Sequence, residues 1–122
     1  MVIIDPAQLV GAGGALGALL RYWVTDRLPA DRFPVGTLTV NVLGSFALGV
    51  LTFLGADSEL VLFLGTGACG SFTTYSSFAF ETVRLWETGD RPAAIGNAFG
   101  NLIGAGIALG VAWVVARGFL LA

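Results

Sequence analysis

The sequence predicts an all-α membrane protein of four transmembrane helices, the third of them broken near its middle. Three observations predict it. Of 122 residues, 56% are hydrophobic and only 11% charged, against roughly 25% charged in a soluble domain, and the mean hydropathy is +0.85. The charges and three of the four prolines gather in connections between four apolar stretches, each near the ~20 residues that cross ~30 Å of hydrocarbon. Finally, "GTGACGSFTTYSSF", Gly65 to Phe78, interrupts one of those stretches with glycines and hydroxyls. The length suits a single domain, residues 1–122. Helices are expected at about 7–27, 35–56, 60–87 with the break near 70–74, and 93–118.

The opening "MVIIDPAQLV" carries Asp5 and Pro6 where a signal peptide would have a basic run, so no cleavable leader is expected. The first helix then bears Gly11, Gly13, Gly14, Gly17 and Ala18. Small residues of this kind let helices approach closely in lipid, where burial from water cannot drive association. Its single ion, Arg21, either snorkels to the interface or supplies a positive charge at the mouth of an anion path.

In the second helix Asn41, Gly44, Ser45 and Leu48 share a face by spacings of three and four. The Asn41 amide offers two donors. It either bonds another helix, worth ~0.6 kcal/mol on average, or faces a solvated vestibule.

The third stretch holds the interruption. Gly67 and Gly70 each weaken a helix by ~1 kcal/mol against Ala. Ser71, Thr73, Thr74, Ser76 and Ser77 compete for backbone hydrogen bonds. A break in hydrocarbon frees polar groups, so it must be buried in protein, line water or hold an ion. Discontinuous helices mark ion and substrate sites. Tyr75 and Phe78 follow at i, i+3, and aromatic rings carry a positive edge that suits an anion. The alternative is a continuous helix with Ser/Thr back-bonding and core aromatics. Glu81, the one acid well inside a stretch, either pairs with Arg84 or sits at a pore entrance.

The fourth helix repeats glycine every four residues at Gly96, Gly100 and Gly104, and Asn97 and Asn101 form a polar stripe. Four short helices cannot both enclose a pore and shelter a broken helix from lipid. A second subunit against the break is therefore expected.

Several classes are excluded. Without His, and with Cys69 alone, the chain offers no internal disulfide, no His-based metal site and no nucleophile–base pair, so it is read as no enzyme. All six basic residues are Arg, the net charge is −2, and no basic patch suits nucleic acid. Arg27, Arg32, Arg84 and Arg91 fall near one side and Arg117 near the other, which leans toward both termini outside the cytoplasm. A small bias also suits a chain that inserts both ways. The chief rival is a small multidrug-resistance-type four-helix dimeric transporter, which needs an acid in its first helix. Here Asp5 precedes that helix, Asp26 follows it, and only Arg21 lies within. A third reading is a non-conducting subunit held by its small-residue faces.

Three motifs carry a resemblance. "GACGSFTTYSSFAFET" resembles the signature G-x-x-G-G-x-T-T-F-S-[ST]-F of the fluoride channel family known as CrcB or Fluc. "GGALGALLRYWV" and "GTLTVNVLGSFALG" are similar to that family's first and second helices. The resemblance covers nearly the whole chain. It implies passive, fluoride-selective export through an antiparallel, dual-topology dimer in the cell membrane, multi-pass, with two pores, formed by two copies or by a pair of homologues. It implies a structural Na⁺ at the dimer interface, held by the backbone carbonyls of Gly70 and Thr73 from each subunit. Tyr75 and Phe78 would line the pore, with Asn41 reaching the ion and Ser76 and Ser77 forming a polar track. Arg21 and Glu81 would sit nearer the vestibules. Three departures stand out. Tyr75 replaces the usual Phe, Ser71 replaces the second glycine of a pair, and the fourth helix matches poorly, with Asn101 or its neighbours standing in where the family often has an aromatic or Ser.

Overall fold

The computed structural model describes residues 3–122, and these are helical with no strand among them. Helix α1 spans Pro6–Arg27 and α2 spans Val35–Phe53. Helix α3 covers residues 58–72 as one run: α-helical at Ser58–Leu60, π-helical over Val61–Cys69 and α-helical again at Gly70–Phe72. Helix α4 spans Tyr75–Glu87 and α5 spans Arg91–Leu121.

Local chemistry sets the ends. Asp5 caps α1 by accepting from Ala7 N at 2.8 Å, while Gln8 Oε1 accepts from Asp5 N at 3.3 Å, a reciprocal capping box ahead of Pro6. Asp57 accepts from Leu60 N at 2.9 Å and Asp90 from Ala93 N at 3.3 Å, so acidic caps also open α3 and α5. After α2 and α4 the chain turns at Gly55 (φ 69°) and Gly89 (φ 93°), in the left-handed region that glycine adopts without a steric penalty.

Helix α1 lies against α3, and α5 packs on both α2 and α4. The first contact is backbone on backbone. A Cβ at Gly13 would strike Phe63 O, and one at Gly17 would strike Ala68 O. Both glycines are buried. Helix α5 buries one face through Ala94, Asn97, Asn101, Ala108, Ala112 and Ala116. Gly104 leaves room for Val42, whose Cγ2 would lie 2.8 Å from an added Cβ. At 31 residues α5 runs about 46 Å at ~1.5 Å per residue, longer than a ~30 Å hydrocarbon core.

The exterior is apolar: Leu19, Phe80, Leu102 and Ile107 are all well exposed. Helices α2 and α5 are long and apolar enough to cross a membrane, with mean hydropathies of 1.6 and 1.8. Each of the three tryptophans has an arginine over its ring: Arg27 on Trp23 at 4.1 Å, Arg91 on Trp86 at 4.7 Å and Arg117 on Trp113 at 5.0 Å. All three pairs lie near helix ends, where amphipathic rings suit a membrane–water interface.

Candidate ion site at the helix interruption

Between α3 and α4 the backbone is extended at Thr73 (φ −81°, ψ 160°) and Thr74 (φ −148°, ψ 119°). Threonine hydroxyls serve both sides. Thr73 Oγ1 and Thr73 N donate to Cys69 O at 2.9 and 3.0 Å, closing the last turn of α3. Thr74 Oγ1 accepts from Ser77 N at 3.2 Å and so caps α4.

The second helix holds this segment with one polar and one absent side chain. Asn41 Oδ1 accepts from Thr74 N at 2.7 Å, and Asn41 Nδ2 donates to Thr74 O at 3.1 Å. One turn on, Gly44 is buried against Thr73, whose Cγ2 a Cβ would strike. The remaining Asn41 proton goes to Asn101 Oδ1 on α5 at 2.9 Å. Three elements thus meet at the interruption, and all of Asn41's hydrogen-bonding protons are used.

Beside it opens a cleft of about 800 Å³. Asn41, Gly70, Thr73, Tyr75, Phe78 and Asn101 line it, as do Gly44, Ser45 and Leu48 from the same face of α2. The Tyr75 and Phe78 rings stand 5.9 Å apart, tilted by 53°. Tyr75 is 81% exposed. Ser76 and Ser77 occupy the first turn of α4 outside the cleft, with Ser76 Oγ 3.4 Å from Thr74 Oγ1. Arg21 is half-buried on α1 and does not line the cleft. Glu81 Oε1 accepts from Thr37 Oγ1 on α2 at 3.0 Å, while its Oε2 is buried with no hydrogen-bond partner among the described residues.

Sequence reasoning left Thr37 aside, though it lies four residues before Asn41 and hence on the same face. It also left open which partners Asn41 and Asn101 take, because spacing along one helix does not say which neighbour that helix meets.

The residues fit a sodium ion by donor chemistry. Thr74 N donates to Asn41 and not to Gly70 O, and Gly70 and Thr73 both line the cleft. Neutral carbonyl oxygens suit a hard monovalent cation. Among the described residues no group of three or more His, Cys, Asp or Glu gathers as a metal cluster, and the cleft offers neutral oxygens: backbone carbonyls and the side chains of Ser45, Thr66 and Thr73.

So apolar an exterior around helices long and apolar enough to cross a membrane marks a helical membrane protein. The chain belongs to the CrcB family: the family described as "CrcB-like protein, Camphor Resistance (CrcB)" matches residues 8–116. Its sequence is 56% identical to a Haloarcula marismortui protein named fluoride-specific ion channel FluC 2, over 96% of this chain and 98% of that one. It is 54% identical to fluoride-specific ion channel FluC 1 of Halobacterium salinarum, over 93% and 95% of the two chains. It is 44% identical to fluoride-specific ion channel FluC of Pyrococcus furiosus, over 89% and 94%.

Proposed function

We propose that the chain is a subunit of a fluoride-selective channel that lets F⁻ leave the cell passively. One observation carries the reading beyond the relatives' names: the aromatic pair Tyr75–Phe78 and the Asn41 amide line one cleft beside the extended Thr73–Thr74 segment. Ring edges offer positive partial charge to a small anion without a full countercharge to trap it. Asn41 would first hold the interruption, and would meet the ion only by giving up its bond to Asn101. Ser76 and Ser77 would extend the polar track, and Arg21 and Glu81 would sit toward the vestibules. Export needs no pump. Hydrogen fluoride enters neutral and is trapped on ionising, and at about 100 mV, inside negative, each departing F⁻ gains about 2.3 kcal/mol. No bond is made or broken, so the chain is read as no enzyme.

The exposure of Tyr75 and Gly70 in a single chain supports a partner against that face. We read it as a second copy, or a homologue, inserted antiparallel, giving a multi-pass dual-topology dimer in the cell membrane with two pores. The carbonyls of Gly70 and Thr73 from both subunits would hold the structural Na⁺, which would neutralise their partial charges where the two interruptions meet.

The test is ion efflux from liposomes holding the purified protein. Fluoride is expected to leave and chloride to stay. Equal chloride efflux would overturn the selectivity, and no fluoride efflux would overturn the function.

A further inference from the structure

Asn97 does not line the cleft, yet it is fully buried, with 0% of its surface exposed. Its bonds continue those of Asn41 in a single sense. Thr82 Oγ1 donates to Phe78 O at 2.7 Å, which commits the only hydroxyl proton to the α4 backbone. Thr82 can then only accept, and it accepts from Asn97 Nδ2 at 2.9 Å. That turns Asn97 Oδ1 toward Asn101, whose Nδ2 donates to it at 3.0 Å and to Asn97 O at 2.9 Å. Asn101 is left with Oδ1 toward α2, so Asn41 must present Nδ2 there, at 2.9 Å, and Oδ1 to Thr74 N. Each amide is oriented consistently with the one before it, and a flip of Asn97 would leave Asn101 Nδ2 facing another donor or, if Asn101 followed, Asn41 Nδ2 facing one. The bonds that run head to tail from Thr74 N through Asn41, Asn101, Asn97 and Thr82 to Phe78 O also polarise and strengthen one another.

We propose that Asn97, anchored by Thr82, is a positioning residue that sets the amide orientation of Asn41 and so holds the extended Thr73–Thr74 segment. This deepens the channel reading and rests on it for the effect on ion flux alone. The alternative is that Asn97 merely ties α5 to α4. Mere glue would leave Thr74 unaffected when the tie is altered.

The experiment reads backbone amide hydrogen exchange in the purified protein, with the Ala112 amide as reference on the same helix. Thr82→Val keeps the shape but removes the hydroxyl, and Thr82→Ser keeps the hydroxyl. Thr82→Val and Asn97→Leu are expected to speed exchange at Thr74 about tenfold by freeing its acceptor, with Thr82→Ser close to wild type and Ala112 unchanged. Fluoride efflux is expected to fall in the same order. Should Asn97→Leu also expose Ala112, the Thr82 pair decides. Wild-type protection of Thr74 in Thr82→Val overturns the proposal. A wild-type protein that passes no fluoride overturns the channel reading instead, and the exchange result stands independently of it.

Discussion

Asn41 and Thr74 share two reciprocal hydrogen bonds, Thr74 N to Asn41 Oδ1 at 2.7 Å and Asn41 Nδ2 to Thr74 O at 3.1 Å. The side-chain amide takes the place of a neighbouring peptide, so a backbone that has left its helix keeps both of its polar groups paired. In a protein surrounded by hydrocarbon no water would supply those bonds. Asn41 therefore bears on the shape of the interruption as much as on whatever passes beside it.

Asn41→Ala removes three hydrogen bonds and is expected to destabilise the protein by ~1–3 kcal/mol, the cost of leaving buried polar groups unpaired. Thermal unfolding in detergent measures it. Asn41→Asp keeps the size, but as a carboxylate it would face Thr74 O and Asn101 Oδ1 with no proton for either. Its negative charge would also stand beside the anion path. Fluoride efflux is expected to fall sharply, and wild-type rates would remove Asn41 from the path.

Gly44→Ala places a methyl where Thr73 Cγ2 now sits and 3.3 Å from Phe72 Cδ1. Overpacking of this kind costs ~1–3 kcal/mol and should push the extended segment away from α2, slowing efflux. Thr73→Ser deletes that methyl, so the double variant Gly44→Ala/Thr73→Ser is expected to recover much of both stability and flux. Additive losses in the double variant would show that the clash is not the cause.

Phe78→Ile replaces a ring edge with an aliphatic surface of similar hydrophobicity in the cleft. Fluoride efflux is expected to drop by at least about tenfold, since one lost anion contact of ~1.4 kcal/mol suffices. The protein should remain folded. Tyr75→Phe keeps the ring edge and is expected to conduct. If both variants conduct alike, the aromatic pair does not line the ion's route.

The α1–α3 contact gives a comparison within one helix. Gly17→Ala drives a methyl into the backbone oxygen of Ala68, whereas nothing lies within 4 Å of a Cβ at Gly11. Gly17→Ala is expected to lower the melting temperature. Gly11→Ala is expected to be neutral or to stabilise by up to ~1 kcal/mol through helix propensity. Equal effects at the two positions would mean that close backbone approach is not what holds α1 to α3.

By itself the sequence determined what can be read along one helix at a time. Composition and apolar length announced a helical, lipid-compatible chain, and the spacing of Asn41, Gly44, Ser45 and Leu48 put them on the single face that lines the cleft. The four-residue step from Asn97 to Asn101 likewise put two amides on one buried face of α5. Only the tertiary structure decided what those faces meet. It set Thr73 against Gly44, joined Thr37 to Glu81 and linked Asn41 to Asn101 across sixty positions. The reason is physical: periodicity is a local consequence of helical geometry, whereas the partner of a side chain depends on how separate helices dock. In a chain this apolar, docking turns on where glycines let backbones touch and where the few polar groups can satisfy one another.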